Sequence, residues 1–187
     1  MLIPLGIWAA SGAGSTTATP AMELISTTIL GSNTATVTFS AIASTYKHLQ
    51  IRMTNRDTSS SNIRPAGIQF NGDTASNYQA HRIYGDGASV SSDYLATSYI
   101  QYKIPGNGAL ASVWSGAVLD ILNYANTTTY KTTRMLSGFY GGNGSSEIGL
   151  YSGNWRSTSA ITSVSLIALN SNAFATGSRF SLYGIKG

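Results

Sequence analysis

Cysteine is absent from this 187-residue chain, which excludes disulfides, thiolate metal sites and a cysteine nucleophile. Charge is scarce as well. Asp, Glu, Lys and Arg make up 10% of the residues, against roughly 25% in an average soluble domain. No segment sustains the i, i+3, i+4, i+7 apolar spacing of an amphipathic helix, so a helical architecture is not expected. A membrane-spanning helix needs about 20 apolar residues. The most apolar stretch, Met1 to Trp8, is interrupted by Pro4 and Gly6.

Ser, Thr, Asn and Gly fill the positions that charge leaves empty. A surface of hydroxyls and amides suits β-sandwich adhesins, lectins and viral shell or fibre proteins better than a dynamic intracellular enzyme. It also lowers self-repulsion, which favours packing against copies of the same chain. The 11 basic and 7 acidic residues give a net charge of +4. The basic residues fall singly along the chain, without a run or a recognised nucleic-acid motif, so direct nucleic-acid binding is not expected.

The opening Met1-Leu2-Ile3-Pro4-Leu5-Gly6-Ile7-Trp8 places six large apolar residues in eight. Leaving them in water forgoes roughly 1.5–3 kcal/mol per large side chain. No basic n-region precedes the apolar stretch as it would in a secretory signal. Two readings remain: an edge strand of the chain's own sandwich, or an anchor for a neighbouring molecule. The second makes Leu2, Ile3, Pro4, Leu5, Ile7 and Trp8 partner-anchoring residues. Residues 9–20, small and polar and closed by Pro20, read as a linker. The expected division is therefore an arm and linker over 1–20 and a β-sandwich domain over 21–187.

From Glu23 onward the apolar period is two, which argues strands. Val37 and Phe39 alternate with threonines. Leu49, Ile51 and Met53 alternate with Gln50, Arg52 and Thr54, the cleanest one-face-buried pattern in the chain. Ile68 and Phe70 precede the turn Asn71-Gly72-Asp73. Residues 55–64 and 84–93 read as polar loops. Further strands are expected over 98–104, 131–140, 146–151, 161–169 and 179–185. Val113 to Tyr124 is more continuously apolar and predicts a central strand buried on both sides, with a short helix as competitor. Residues 141–144, rich in glycine, read as a hairpin or loop tip. The expected fold is all-β, an antiparallel, jelly-roll-like sandwich with an extended N-terminal arm.

Catalytic candidates are sparse. His81, Asp73 and one of many serines could compose a triad, but no G-x-S-x-G elbow selects a serine. His48 reads as a hydrogen-bonding residue on the polar face of its strand. Of the seven acids, Asp57, Asp73 and Asp86 lie in turn contexts where Asp caps the backbone. Asp120, inside an apolar strand, reads as an acid paired with an Arg, Arg134 across a hairpin being the candidate. Asn71-Gly72-Asp73 and Gly85-Asp86-Gly87 resemble fragments of calcium loops but lack the full spacing and the terminal Glu. No enzyme activity, cofactor or metal is expected. Aromatic rings beside amides and hydroxyls are what glycan or protein recognition uses. Tyr84, Tyr94, Tyr140, Tyr151 and Trp155, all in loop-like contexts, are the candidate ligand contacts.

Several blocks carry a resemblance. They are Leu2-Ile3-Pro4-Leu5-Gly6 before the small-residue linker, Ala35-Thr36-Val37-Thr38-Phe39, Tyr46-Lys47-His48-Leu49-Gln50 and Phe70-Asn71-Gly72-Asp73. His81-Arg82-Ile83-Tyr84-Gly85 and the terminal Ser178 to Gly187 continue them. Through these blocks the chain resembles small tailed-bacteriophage virion structural proteins, of the capsid-decoration or tail-fibre-associated type. The resemblance implies a non-enzymatic virion component, assembled in the host cytoplasm and docked to other virion proteins. A homo-oligomer, a trimer foremost, is the expected state, with no membrane insertion. The alternative is a tail-fibre module that binds a receptor or a host surface glycan. A polysaccharide-cleaving enzyme using Asp120 or Glu147 is the third reading.

Overall fold

A computed structural model describes residues 20–142 and 145–187. Twelve strands make up its regular structure: β1 Met22–Ile29, β2 Thr36–Phe39, β3 His48–Asn55, β4 Ile63–Phe70, β5 Tyr78–Gly85, β6 Val90–Thr97, β7 Ile100–Pro105, β8 Ser115–Leu122, β9 Lys131–Tyr140, β10 Ser146–Trp155, β11 Val164–Ala168 and β12 Arg179–Ile185. They form two antiparallel sheets. The larger has the order β1-β12-β3-β8-β9-β10-β5-β6 and the smaller β2-β11-β4-β7. The fold is all-β, as the period-two pattern predicts.

Alternation explains how the sheets meet. Leu49, Ile51 and Met53 of β3 point inward with Leu119 and Ile121 of β8 and Phe180 and Leu182 of β12. Across the interface stand Ile68 and Phe70 of β4, Ile100, Tyr102 and Ile104 of β7, and Val164 and Leu166 of β11, and all of these belong to one buried cluster. β7 lies over β9, β10 and β5. Glycines on the inner face of β10 make room for this. A Cβ on Gly153 would stand 2.7 Å from Ile100 of β7, and one on Gly149 would stand 2.7 Å from the Tyr151 ring.

Two expectations need correction. The 84–93 segment is not a loop: β5 runs through Gly85 and β6 begins at Val90, joined by a hairpin whose Asp86 carboxylate accepts the N–H groups of Ala88 and Ser89. β6 escapes pattern reading because it is an edge strand with little to bury, and its residues are mostly exposed. Second, β8 is buried on one face only: Ser115, Ala117, Leu119 and Ile121 are buried, whereas Val118 is 39% exposed. Its continuous apolarity reflects an apolar outer face, and the helical alternative is absent. The polar 55–64 segment is the loop expected, joining β3 to β4, and it is anchored inside. Arg56 is buried, and its guanidinium donates to Asn107 and to the carbonyls of Ala109, Leu110 and Val113, fixing that neighbouring loop.

The Asn71-Gly72-Asp73 turn carries the chain from β4 in the small sheet to β5 in the large one. Both Asn71 and Gly72 have positive φ, 52° and 67°, which Asn and Gly tolerate best. Asp73 accepts from the Ala75 N–H, from Asn77 and, at 2.7 Å, from the Trp155 indole. Trp155 stacks on Tyr78 and meets Phe70 at a tilt, with ring centres 5.7 Å apart, so this one carboxylate orients the aromatic end of the core. Burial would raise its pKa, but the bonds from Asn77, Trp155 and Ala75 outweigh that and hold it below the usual carboxylate range.

A carboxyl whose folded pKa is depressed stabilises the fold above its unfolded pKa, and that contribution fades as pH falls through the folded value. Acid titration of stability should therefore show a loss beginning near pH 4 and continuing below it, and Asp73→Asn should flatten that slope. Asp73→Ala should cost about 1–3 kcal/mol at neutral pH, because a buried indole donor loses its acceptor. Urea unfolding at a series of pH values measures both.

Candidate interaction face

Among the described residues His81 and Asp73 do not come together in a triad, and the two carboxylates that do meet, Asp93 and Glu147, share one arginine. His48 is half-buried and its Nδ1 accepts the Asn123 N–H at 3.0 Å, the hydrogen-bonding role expected of it. His81 sits on the exposed face of β5, while Asp73 is taken up at the Trp155 turn. Each of the seven acids accepts a hydrogen bond or an ion pair. Asp57 caps Ser59, Asp86 caps its hairpin and Glu23 meets Lys186 at 2.9 Å. Asp120 pairs with Arg134 at 2.9 Å across the β8–β9 register, the partner that sequence reading named. Among the described residues no group of three or more His, Asp or Glu side chains could hold a metal ion.

Glu147 and Asp93 meet at Arg82, on the inner face of β5 where the small sheet gives out. Arg82 grips Asp93 with both ends of its fork at 2.9 Å, and its Nη1 donates to Glu147 at 2.8 Å. The Tyr151 hydroxyl donates to the same Glu147 oxygen at 2.6 Å. The guanidinium lies 3.9 Å from the Tyr84 ring centre and 5.8 Å from that of Tyr151. Two carboxylates share one arginine, each through charge-assisted hydrogen bonds. Burial lowers the Arg82 pKa, but the bonds it donates to Asp93 and the charge of Glu147 outweigh that and raise it. The Arg82 fork holds Asp93 below its ordinary value against the opposing effect of burial.

The five aromatic candidates lie in strands rather than loops. Tyr84 and Tyr151 flank Arg82. Trp155 and Tyr151 are buried, 3% and 2% exposed, so neither ring is offered to a ligand at the surface. Tyr94 and Tyr140 stand out from the large sheet at 61% and 79% exposure. The anchoring candidates Leu2, Ile3, Pro4, Leu5, Ile7 and Trp8 lie outside the described residues.

The outer face of the large sheet carries what pattern reading missed. Val118 of β8 pairs with Leu136 of β9, Leu136 with Leu150 of β10, and Leu150 with Ile83 of β5. These four aliphatic side chains stand in one continuous row across four strands, 39–55% exposed. Ile148 extends the patch towards Val90 and Tyr140. Its neighbours across β9 and β5 are Gly138 and Gly85, so the Ile148 side chain rises alone from a low floor, 63% exposed. Beside the row runs a polar one, Gln50–Asp120–Arg134–Ser152–His81–Tyr94, paired in the same way. The available signal was apolar residues at two adjacent positions in successive strands, as at Val118-Leu119, Met135-Leu136 and Leu150-Tyr151. Monomeric surfaces scatter exposed aliphatics singly, and contiguous patches mark contact surfaces.

No family model, curated protein or solved structure matches this chain.

The Arg82 cluster makes a quantitative test. Arg82→Met leaves Glu147 buried without its counter-charge and should destabilise by about 3–5 kcal/mol. Asp93→Asn removes only a half-exposed partner and should cost no more than about 1 kcal/mol. Denaturant midpoints of the two variants, compared at neutral pH, should differ in that order.

Proposed function

We propose that this chain is a non-enzymatic structural protein of a tailed-bacteriophage particle. In this reading it is displayed on the particle as capsid decoration or a short appendage. Its two sheets form a jelly-roll-like sandwich, and an N-terminal arm, residues 1–8, docks onto neighbouring virion proteins. Self-association into a trimer completes the assembly, and the particle itself is where the protein resides.

The observation that carries the reading is the aliphatic row Val118–Leu136–Leu150–Ile83 on the outer face of the large sheet. An apolar face of that width on a charge-poor body suits a protein that works while covered by other protein. The resemblance of the opening, central and terminal blocks to small virion proteins points the same way.

A second reading, a tail-fibre module that binds a receptor or glycan, draws on Tyr140 and Tyr94, whose exposed rings beside Ser and His side chains are of the kind sugars stack on. Saturable glycan binding lost in the Tyr94→Ala, Tyr140→Ala double variant would favour it.

Deleting residues 1–14 should leave the circular dichroism of the sheets unchanged and abolish incorporation into particles; normal incorporation would overturn the anchoring role. Gold-labelled antibody to the exposed 86–89 hairpin, viewed on purified particles, should decorate the head if the protein is capsid decoration. Label confined to the tail would assign it to a fibre, and no label on any particle would overturn the virion reading.

A further inference from the structure

Glycine inside a strand is costly unless something needs the space a side chain would take. Gly149 and Gly153 of β10 make room for the chain's own side chains. Gly116 of β8, Gly138 of β9 and Gly85 of β5 do not. None of the three has a positive φ. A Cβ on Gly116 would meet nothing within 4 Å, and one on Gly138 or Gly85 would come no closer than 3.5 Å to a neighbour. Among the described residues, then, no close approach accounts for these glycines. All three stand at one level of the register on the outer face, joined through Ile148 in the row Gly116–Gly138–Ile148–Gly85. A strand glycine without an internal reason marks a place where another backbone or a ligand comes close.

The next level of the register is the aliphatic row Val118–Leu136–Leu150–Ile83. A second copy of the same face fits both levels at once. A two-fold axis set between two facing large sheets, parallel to the strands and midway between β9 and β10, lays β9 over β10 of the second copy and β8 over its β5. Ile148, 63% exposed, then comes down on Gly138 of the second copy with Gly116 beside it, and the symmetry repeats that contact. In the aliphatic row Leu136 meets Leu150 and Val118 meets Ile83, so each apolar side chain finds another. In the polar row Asp120 meets His81 and Arg134 meets Ser152, and neither pairing opposes like charges. Facing sheets pack about 10 Å apart with their strands near −30°, and a large side chain over a small one suits that spacing.

The face is also large enough. The strands β3-β8-β9-β10-β5-β6 lie side by side and are eight to ten residues long. They present about 29 Å by about 27 Å of surface, or about 780 Å², against about 800 Å² per partner in a stable complex.

We propose that the free protein pairs with a second copy through this face, as a two-fold dimer in which Ile148 of each chain is seated on Gly138 and Gly116 of the other. The inference does not rest on the particle reading: it concerns the free protein, whereas the trimer of that reading forms on the particle.

Sedimentation equilibrium of the full chain at tens of micromolar should give the mass of two chains. The mass of one chain, or of three, would overturn the proposal. Gly138→Val adds apolar surface, and its Cβ is sterically free within the chain, yet it fills the seat of Ile148. It should weaken the dimer about tenfold or more, the cost of overpacking a closed contact. Unchanged or tighter association would mean general apolar adhesion and would sink the proposal. Leu136→Asp and Leu150→Lys, each at a half-exposed site, should separately give monomers with the circular dichroism of the parent. A dimer that survives both changes lies on another surface, which also rules the proposal out. Mixed together, the two variants should sediment as a heterodimer, since the new carboxylate then faces the new ammonium and the remaining leucines face each other. A mixture that stays monomeric would overturn the register. None of these failures touches the particle reading, which is judged by labelling of particles.

Discussion

Eight strands facing four is the constraint from which the rest of this molecule follows. The inner face of the large sheet is buried only where the small sheet lies over it. The core accordingly draws on β3, β8, β9, β10, β5 and β12 and on all four strands of the small sheet, while β1 and β6 add no fully buried apolar side chain. Both edges of the large sheet extend past their cover. At the β6 edge the fold meets this with charge, seating Arg82 between Asp93, Glu147 and two tyrosine rings. A salt bridge half in water at Asp93 and buried at Glu147 closes the margin of the core.

Among the described residues nothing covers the outer face of the large sheet. An antiparallel sheet with one solvated face should alternate apolar-in and polar-out. β3 does so throughout. β8, β9, β10 and β5 break the rule where Val118, Leu136, Leu150 and Ile83 fall into line, and β10 breaks it again at Ile148. One exposed aliphatic residue per strand is ordinary. Four in direct pairing are a surface feature, and they give the molecule an apolar side in a body whose polar surface is otherwise hydroxyl and amide.

The interior is held as much by polar anchors as by apolar packing. Asp73 fixes Trp155, Arg56 fixes the loop after β7, and buried Lys131 donates to the carbonyls of Thr129 and Thr158. Each is a buried donor or acceptor whose partner is backbone or a turn carboxylate, the kind of pairing that burial requires. In a chain without disulfides these bonds tie long connections to the sandwich where a crosslink would otherwise serve.

Much of the fold was legible in the sequence because strand alternation is local. The burial of Leu49, Ile51 and Met53 on one face, the turn at Asn71-Gly72, the capping roles of Asp57, Asp73 and Asp86 and the partnership of Asp120 with Arg134 all follow from residue type and short-range spacing. β6 was not legible, because an edge strand with two polar faces has no apolar period to read. Tyr151 and Trp155 are buried because both stand on the inner face of β10, and Trp155 lies in the four residues by which that strand outruns its sequence signal. The aliphatic row was out of reach for a deeper reason. It is a property of register between four strands, and register is set by packing of the opposite face and by turn geometry, neither of which a single strand's sequence contains. The sequence by itself determined an all-β, charge-poor, cysteine-free body and an apolar opening segment. Only the tertiary structure decided which apolar residues are core and which are surface, because that depends on where four strands end and eight continue.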